Sequence, residues 1–279
     1  MRCKMPDFQL CNPHPSAEAV KVMEYLKSIY GKHILTGQHT TQSYAPEIAH
    51  IEKFTGHKPA VLGVDFLGDS PSADPNDCDN STRWEILVNK GSYQTAIDYF
   101  NQTGGLVTAS WHWFSPCGAI GGKKSFYTEQ TTFDLTVALQ EGTEEHRLLI
   151  RDLDAMAHIL LKFKEAKVPL LWRPLHEADG GWFWWGAKGP EAFKQLYKLM
   201  FQKFVHEYDL NNLIWVLCVA KEDWVVEPEY YDIMGADIYV PKEDRSAHGE
   251  KFDFFNHITG GSKPLALSEN GPIPDPDAF

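Results

Sequence analysis

Several things are scarce or missing in this sequence, and each removes a class of function. No run of 18 apolar residues occurs in the 279-residue chain, so no helical membrane span is encoded. Positive charge is short: 26 Lys and Arg stand against 38 Asp and Glu, a formal net charge of -12. Such a field repels a phosphate backbone, and no basic stretch interleaved with aromatics offsets it, so nucleic acid is excluded as a partner. The opening Met-Arg-Cys-Lys-Met-Pro has no apolar core of a signal peptide. The five cysteines (Cys3, Cys11, Cys78, Cys117, Cys218) form no CxxC pair, which leaves a zinc ribbon and a thioredoxin-type motif unsupported. A Cys3–Cys11 disulfide stays open, whereas Cys218, inside the apolar run 213–220, reads as a buried free thiol. HExxH and GxSxG are both absent, which removes zinc-protease and serine-hydrolase chemistry. Asp74, Asn76, Asn80 and Glu85 have the spacing of calcium-loop ligands, but Cys78 interrupts them and Asp79 stands where that loop requires glycine. No metal site is expected. Asn80-Ser81-Thr82 and Asn101-Gln102-Thr103 match glycosylation acceptors, triplets that are common by chance.

What is present is 43% hydrophobic and 13% aromatic, ample for a large core. The nine tryptophans exceed what that core needs. Packing accounts for most tryptophans, although flat aromatic faces also suit the apolar C–H faces of sugars. Short apolar runs at 33–38, 59–66, 105–113, 168–175, 213–218, 232–239 and 264–269 read as strands. Several are unbroken rather than alternating, as in parallel strands covered on both faces. Helical spacing fills 16–30, 46–55, 92–103, 146–166 and 190–208, with Pro190 suited to a first turn. Seven strands with helices between them indicate repeated βα units. An open nucleotide-binding sheet should carry GxGxxG or GxxxxGK[ST], and neither occurs. A barrel instead puts its chemistry at the ends of several strands. Asp65, His112, Glu177, Asp237 and Glu269 fall at such ends, which favours an α/β fold of the (β/α)8 TIM-barrel type. No shift in composition divides the chain, so 1–279 reads as a single barrel domain.

The most informative segment is Leu170-Leu-Trp-Arg-Pro-Leu-His-Glu-Ala-Asp-Gly-Gly-Trp-Phe-Trp-Trp-Gly186. An apolar strand ends in Arg173, His176 and Glu177 and enters a Gly-Gly turn bearing four aromatics. Desolvation beside those rings should raise the pKa of Glu177, as a general acid working near neutral pH requires. A second apolar strand, Lys263-Pro-Leu-Ala-Leu-Ser-Glu-Asn-Gly271, ends in Glu269. A lone glutamate at a strand end is often a solvated rim residue. Two carboxylates facing one bond are what glycoside cleavage needs, and strands four and seven lie across a barrel mouth.

Arg173-Pro-Leu-His-Glu177 followed by Gly181-Trp-Phe-Trp-Trp-Gly186 resembles the signature of glycoside hydrolase family 26. The resemblance covers essentially the whole chain. It implies a retaining endo-β-1,4-mannanase with Glu177 as acid/base, Glu269 as nucleophile and no cofactor. It also implies active-site places for Arg173 and His176 and a sugar-contacting Trp182. Trp111-His112-Trp113 resembles the family's Trp-His-Trp, whose histidine contacts the sugar at the cleavage subsite. Asp237-Ile-Tyr239 matches its Asp-x-Tyr, whose tyrosine bonds the nucleophile. The resemblance further implies a secreted, monomeric enzyme acting on polysaccharide or oligosaccharide, with carbohydrate-binding modules as optional attachments. Mixed-linkage β-glucan or xylan is the alternative substrate, and a silent carbohydrate-binding barrel is a second alternative. Asp65 and Asp69 stay divided between substrate contact and loop structure. Pro272, Pro274 and Pro276 leave no room for an eighth strand after Glu269. The expectation is therefore a C-terminally incomplete barrel whose natural polypeptide continues past Phe279.

Overall fold

The computed structural model describes residues 5–278, and its organising feature is a set of short strands apolar on both faces. The strands are β1 (Gly37–His39), β2 (Val61–Asp65), β3 (Leu106–Ser110), β4 (Leu170–Arg173), β5 (Leu213–Cys218), β6 (Ile233–Ile238) and β7 (Leu265–Asn270). Every pairing is parallel and each strand lies beside its neighbours in sequence, in the order β1-β2-β3-β4-β5-β6-β7. The helices that return the chain are α1 (Ala17–Ile29), α2 (Pro46–Thr55), α3 (Asn80–Asn89), α4 (Ser92–Thr103), α5 (Leu135–Ala138), α6 (Glu144–Glu165), α7 (Pro190–Phe201) and α8 (Gly249–Ile258). This is the (β/α)8 class, with seven strands among the described residues and β1 and β7 as the outermost strands of the sheet.

Side chains alternate across a strand, and here the two faces have different tasks. Leu62 and Val64, Val107 and Ala109, Leu170 and Trp172, and Leu213, Trp215 and Leu217 point outward into one large core shared with the helices. The inward positions begin apolar: Leu106, Leu171, Ile214, Val216 and Ile233 pack against Ala19, Val22 and Met23. Thus α1 closes the N-terminal mouth of the barrel. Further along the same inward rows the residues turn polar, as Asp65, Ser110, Arg173, Cys218 and Asp237. The period of two thus stacks a dry plug beneath a polar layer.

Strand β7 breaks this alternation. Leu267 pairs with Ala236, but Asp237 pairs with Glu269, so Ser268 is an extra residue in a bulge. Without the bulge Ser268 would take the inward place beside Asp237, and Glu269 would fall on the outer face. With it, Glu269 shares the inward face with Asp237. Gly235 makes room, since a Cβ there would lie 2.4 Å from Ser268 Oγ.

Some expected elements move. The apolar residues Ile34 and Leu35 lie outside β1, which spans only the three residues that pair with β2, and Ile34 is exposed. The expected helix 190–208 is α-helical to Phe201 and ends in a π-turn over Gln202–Glu207. Helices α3, α5 and α8 were not expected. Helix α3 lacks an apolar stripe, because Trp84 and Leu87 face water. The acidic stretch before it does helix capping: the Asp79 carboxylate accepts the Thr82 N–H at 2.8 Å. Cys11 is a free thiol beside Asp232, and Cys3, its suggested partner, lies outside the described residues. Cys218 is buried, as expected.

Met23→Ala should lower stability by roughly 2–5 kcal/mol, because it empties a fully buried site in the plug. Urea unfolding reads that loss directly. A change under about 0.5 kcal/mol would mean that α1 does not seal the barrel.

Candidate active site

The polar layer opens into a cleft of about 640 Å³ lined by His112, Tyr127, His176, Glu177, Trp182, Phe183, Asp237, Tyr239 and Glu269. Seven of the eight residues expected at the site line it, and the eighth, Arg173, lies beneath its floor.

Arg173 ends β4 and is buried with its guanidinium between two acids. Nη1 donates to Asp237 Oδ2 at 3.0 Å, and Nη2 donates to Glu269 Oε1. The two nitrogens of one planar fork thereby fix carboxylates from two different strands. Glu269 also accepts the Tyr239 hydroxyl on Oε2 at 2.6 Å. Burial works to raise the Glu269 pKa, but the Arg173 charge and the hydrogen bonds from Tyr239 and Arg173 outweigh it and hold it below its ordinary range. Asp237 moves the other way. Burial lifts it, the nearby Glu269 charge adds to the lift, and Arg173 compensates only in part. The Cys218 thiol donates to the same Asp237 oxygen at 3.0 Å.

Glu177 arrives by a different route. Strand β4 stops at Arg173, and Pro174 cannot donate to a ladder. The chain then turns through Leu175 and Glu177, both in the left-handed region with φ 53° and 54°. Non-glycine residues there cost on the order of 1 kcal/mol each, so something must hold them. The Glu177 N–H donates to the Cys218 carbonyl at 3.0 Å, and Trp185 Nε1 donates to the His176 carbonyl at 3.0 Å. Gly186 lets the loop close, because a Cβ there would meet the Ala178 carbonyl at 1.8 Å. Phe183, Trp184 and Trp185 are buried, so three of the four aromatics of this loop pack inward. Trp182 stays 48% exposed and donates its indole N–H to Glu177 Oε2 at 3.0 Å. Burial, Asp237 and Glu269 raise the Glu177 pKa, against the Trp182 hydrogen bond and the Arg173 charge.

His112 follows β3 and accompanies Asp65, which lies behind it and outside the cleft lining. The flanking Trp111 and Trp113 are buried, stacked 4.2 Å apart and bonded to Ser70 and Asp152. His176 is buried and held neutral, first by burial and then by the charge of Arg173 and of His112. Asp69 has a structural task, accepting the Gly91 N–H. Among the described residues, only Glu177, Asp237 and Glu269 bring three possible ligand atoms together, all within 4.8 Å of one another. The Arg173 guanidinium already pairs with two of them.

Sequence reading missed Tyr127, which lines the cleft and stacks on Phe183 at 5.6 Å. It is delivered by a strap in which Thr128 N–H donates to the Trp182 carbonyl and Trp184 N–H to the Phe126 carbonyl. No local pattern announces a pairing between two loops more than fifty residues apart.

Carboxylates facing one another across the mouth of a (β/α)8 wall are the arrangement that glycoside cleavage needs. The family model described as glycosyl hydrolase family 26 matches residues 11–279. A mannan endo-1,4-beta-mannosidase of Thermothelomyces thermophilus is 38% identical over 274 residues, covering 96% of this chain and 53% of the relative. A mannan endo-1,4-beta-mannosidase B of Piromyces sp is 39% identical over 277 residues, covering 95% and 45%. Among solved structures, the Podospora anserina GH26-CBM35 beta-(1,4)-mannanase superposes with a TM-score of 0.88 at 35% identity, covering 98% of this chain and 59% of that one. A beta-mannanase from a symbiotic protist of the termite Reticulitermes speratus, complexed with gluco-manno-oligosaccharide, gives 0.86 at 34% identity, covering 98% and 84%. The chain belongs to glycosyl hydrolase family 26. It spans about half the length of the curated relatives it matches.

Arg173→Met should destabilise the fold by roughly 3–5 kcal/mol, because it leaves two acids facing each other without their shared cation. Denaturant unfolding at neutral pH measures this. A variant as stable as the parent would show that the fork is not what holds the two strands' carboxylates.

Proposed function

We propose that residues 1–279 act as one catalytic domain that hydrolyses β-1,4-mannosidic bonds by double displacement. Glu269 attacks the anomeric carbon while Glu177 protonates the leaving oxygen. Glu177 then takes a proton from the water that frees the glycosyl-enzyme. The observation that carries this is the unlike settings of the two acids, Glu269 held by Arg173 and Tyr239 and Glu177 half-buried against Trp182, which lower the Glu269 pKa and raise that of Glu177. One group is kept ionised to attack and the other protonated to donate. Their oxygens lie within 4.8 Å. That supports the retaining arrangement, with carboxyl groups about 5–5.5 Å apart, over the inverting one at about 6.5–9.5 Å.

Mannan as substrate is supported by the names of the relatives, each a mannan endo-1,4-beta-mannosidase. The half-exposed Trp182 beside Glu177 suits a sugar on the leaving-group side. A polymeric substrate too large to enter a cell favours a secreted enzyme. Reducing-sugar release from mannan, lichenan and xylan, run side by side, tests the assignment. Mannan should be cleaved fastest, and a preference for lichenan or xylan would reassign the substrate. Glu269→Ala should abolish turnover on all substrates. Glu177→Ala should lose roughly 100- to 10,000-fold on mannan but keep the first step on substrates with activated leaving groups. Full mannan activity in Glu177→Ala would refute its role.

The pH profile follows from the same displacements. The competent form has Glu269 ionised and Glu177 protonated. Activity falls on the acid side as pH drops through the depressed Glu269 value and on the alkaline side as it rises through the elevated Glu177 value. The bell in kcat/KM should therefore straddle the ordinary glutamate value of 4.5. Trp182→Phe removes a donor that favours the Glu177 carboxylate, so the alkaline limb should move to higher pH. An alkaline limb that stays put or moves down would exclude the indole bond as a control on Glu177.

A further inference from the structure

His112 reaches the cleft just past β3, and its setting points to one neighbour. Asp65, at the end of β2, is buried. Its Oδ1 accepts the Leu67 N–H at 2.7 Å and the His112 main-chain N–H at 3.1 Å. Its Oδ2 accepts the Ser110 hydroxyl at 2.6 Å and lies 2.6 Å from His112 Nδ1. Four partners use up the lone-pair positions of an ionised carboxylate, leaving none for a sugar. His112 takes two of those four contacts and, of the residues bonded to Asp65, is the one that lines the cleft. One fixes its main chain and the other its ring. Phe126, His176 and Phe183 pack edge-on around the ring, with centroids at 5.1, 4.6 and 5.3 Å. An ionised carboxylate only accepts, so the proton of the ring–carboxylate bond sits on Nδ1.

We infer that Asp65 is a positioning residue: it holds His112 with Nδ1–H turned to itself and Nε2 presented to a hydroxyl of the sugar undergoing cleavage. The sugar in this statement rests on the function proposed above, whereas the Asp65–His112 pairing does not. The charges around His112 bear on what Nε2 does. Burial disfavours a charged ring, and Arg173 from the β4 side opposes it too. The Asp65 charge and hydrogen bond from β2, with the Glu269 charge from β7, outweigh both and raise the ring above its ordinary 6.5. His176 beside it, and His39 at the end of β1, are both pushed toward the neutral form, chiefly by burial. Of the three, His112 is the histidine whose surroundings favour the charged ring, the form in which Nε2 is a donor.

The test uses the chain with 15N-labelled histidine, observing ring nitrogens by NMR as pH is varied and kcat/KM on a β-1,4-manno-oligosaccharide. In the parent, His112 should be protonated on Nδ1 and titrate above 6.5. Asp65→Asn should lower that titration point and reduce kcat/KM by roughly 10- to 100-fold, the effect of losing one charge-assisted hydrogen bond. Asp65→Asn added to His112→Ala should cost little more. A parent ring with Nδ1 unprotonated would overturn the inference, even if the Asp65 variant failed to fold. An Asp65→Asn variant with unchanged titration and full activity would overturn it equally. A chain inactive on mannan whose His112 titration still depends on Asp65 would refute the substrate and sustain the positioning role.

Discussion

One guanidinium sets the terms for the rest of the site. Arg173 is buried at the end of β4 and bonds acids from β6 and β7, so three strands meet at a single planar group. One cation against two acids leaves an excess negative charge, and that excess must settle somewhere. Asp237 has 2% of its side chain exposed and Glu269 has 18%. Glu269 also gains the Tyr239 hydroxyl, whereas Asp237 Oδ1 has no hydrogen-bond partner among the described residues. Solvation and donor count therefore both favour ionisation at Glu269, and the proton affinity of the cluster rises at Asp237. Glu177, across the cleft, is raised first by burial and then by the charges of both acids. Where one arginine points thus decides which of the two buried acids stays ionised, while burial sets Glu177 apart from both.

The arginine points there because of the alternation along the strands. Residues two apart on the inward rows build a plug first and a polar layer above it, so Leu171 and Arg173, or Val216 and Cys218, differ in chemistry while sharing a face. Each strand from β1 to β7 brings a polar residue to this layer or just past it, from His39 and Asp65 through His112 and Arg173 to Cys218, Asp237 and Glu269. Two departures from regular backbone complete the arrangement. The bulge at Ser268 turns Glu269 inward, and the left-handed turn at Leu175 and Glu177 carries the second carboxylate over the rim.

Much of this was legible in the sequence, and the residues explain why. Apolar runs such as 213–218 gave strand β5 with its bounds intact, and the helices Pro46–Thr55 and Ser92–Thr103 matched their spacing. All eight expected site residues converge, because strand ends in a parallel barrel can point to only one mouth. What was not legible depends on partners distant in sequence. Strict alternation would have put Glu269 on the outer face, and only pairing with β6 reveals the bulge. The place of Asp65 is not legible in sequence because three of its four contacts come from Ser110 and His112, a segment more than forty residues away. Helix α3 escaped notice because its tryptophan faces water, and its capping aspartate was weighed as part of a cation loop.

Arg173 and Tyr239 hold Glu269 toward its ionised form, and the proposed mechanism makes Glu269 the attacking group. That role is tested most directly by trapping the intermediate. Incubation with a 2-deoxy-2-fluoro-β-mannosyl fluoride, whose glycosyl-enzyme turns over slowly, should add one fluorosugar mass to the protein. Proteolysis and mass spectrometry should locate it on the peptide bearing Glu269, with proton NMR of the first product from normal substrate showing the β-anomer. Label on Glu177 or Asp237, or no label together with an α-anomeric first product, would contradict the account.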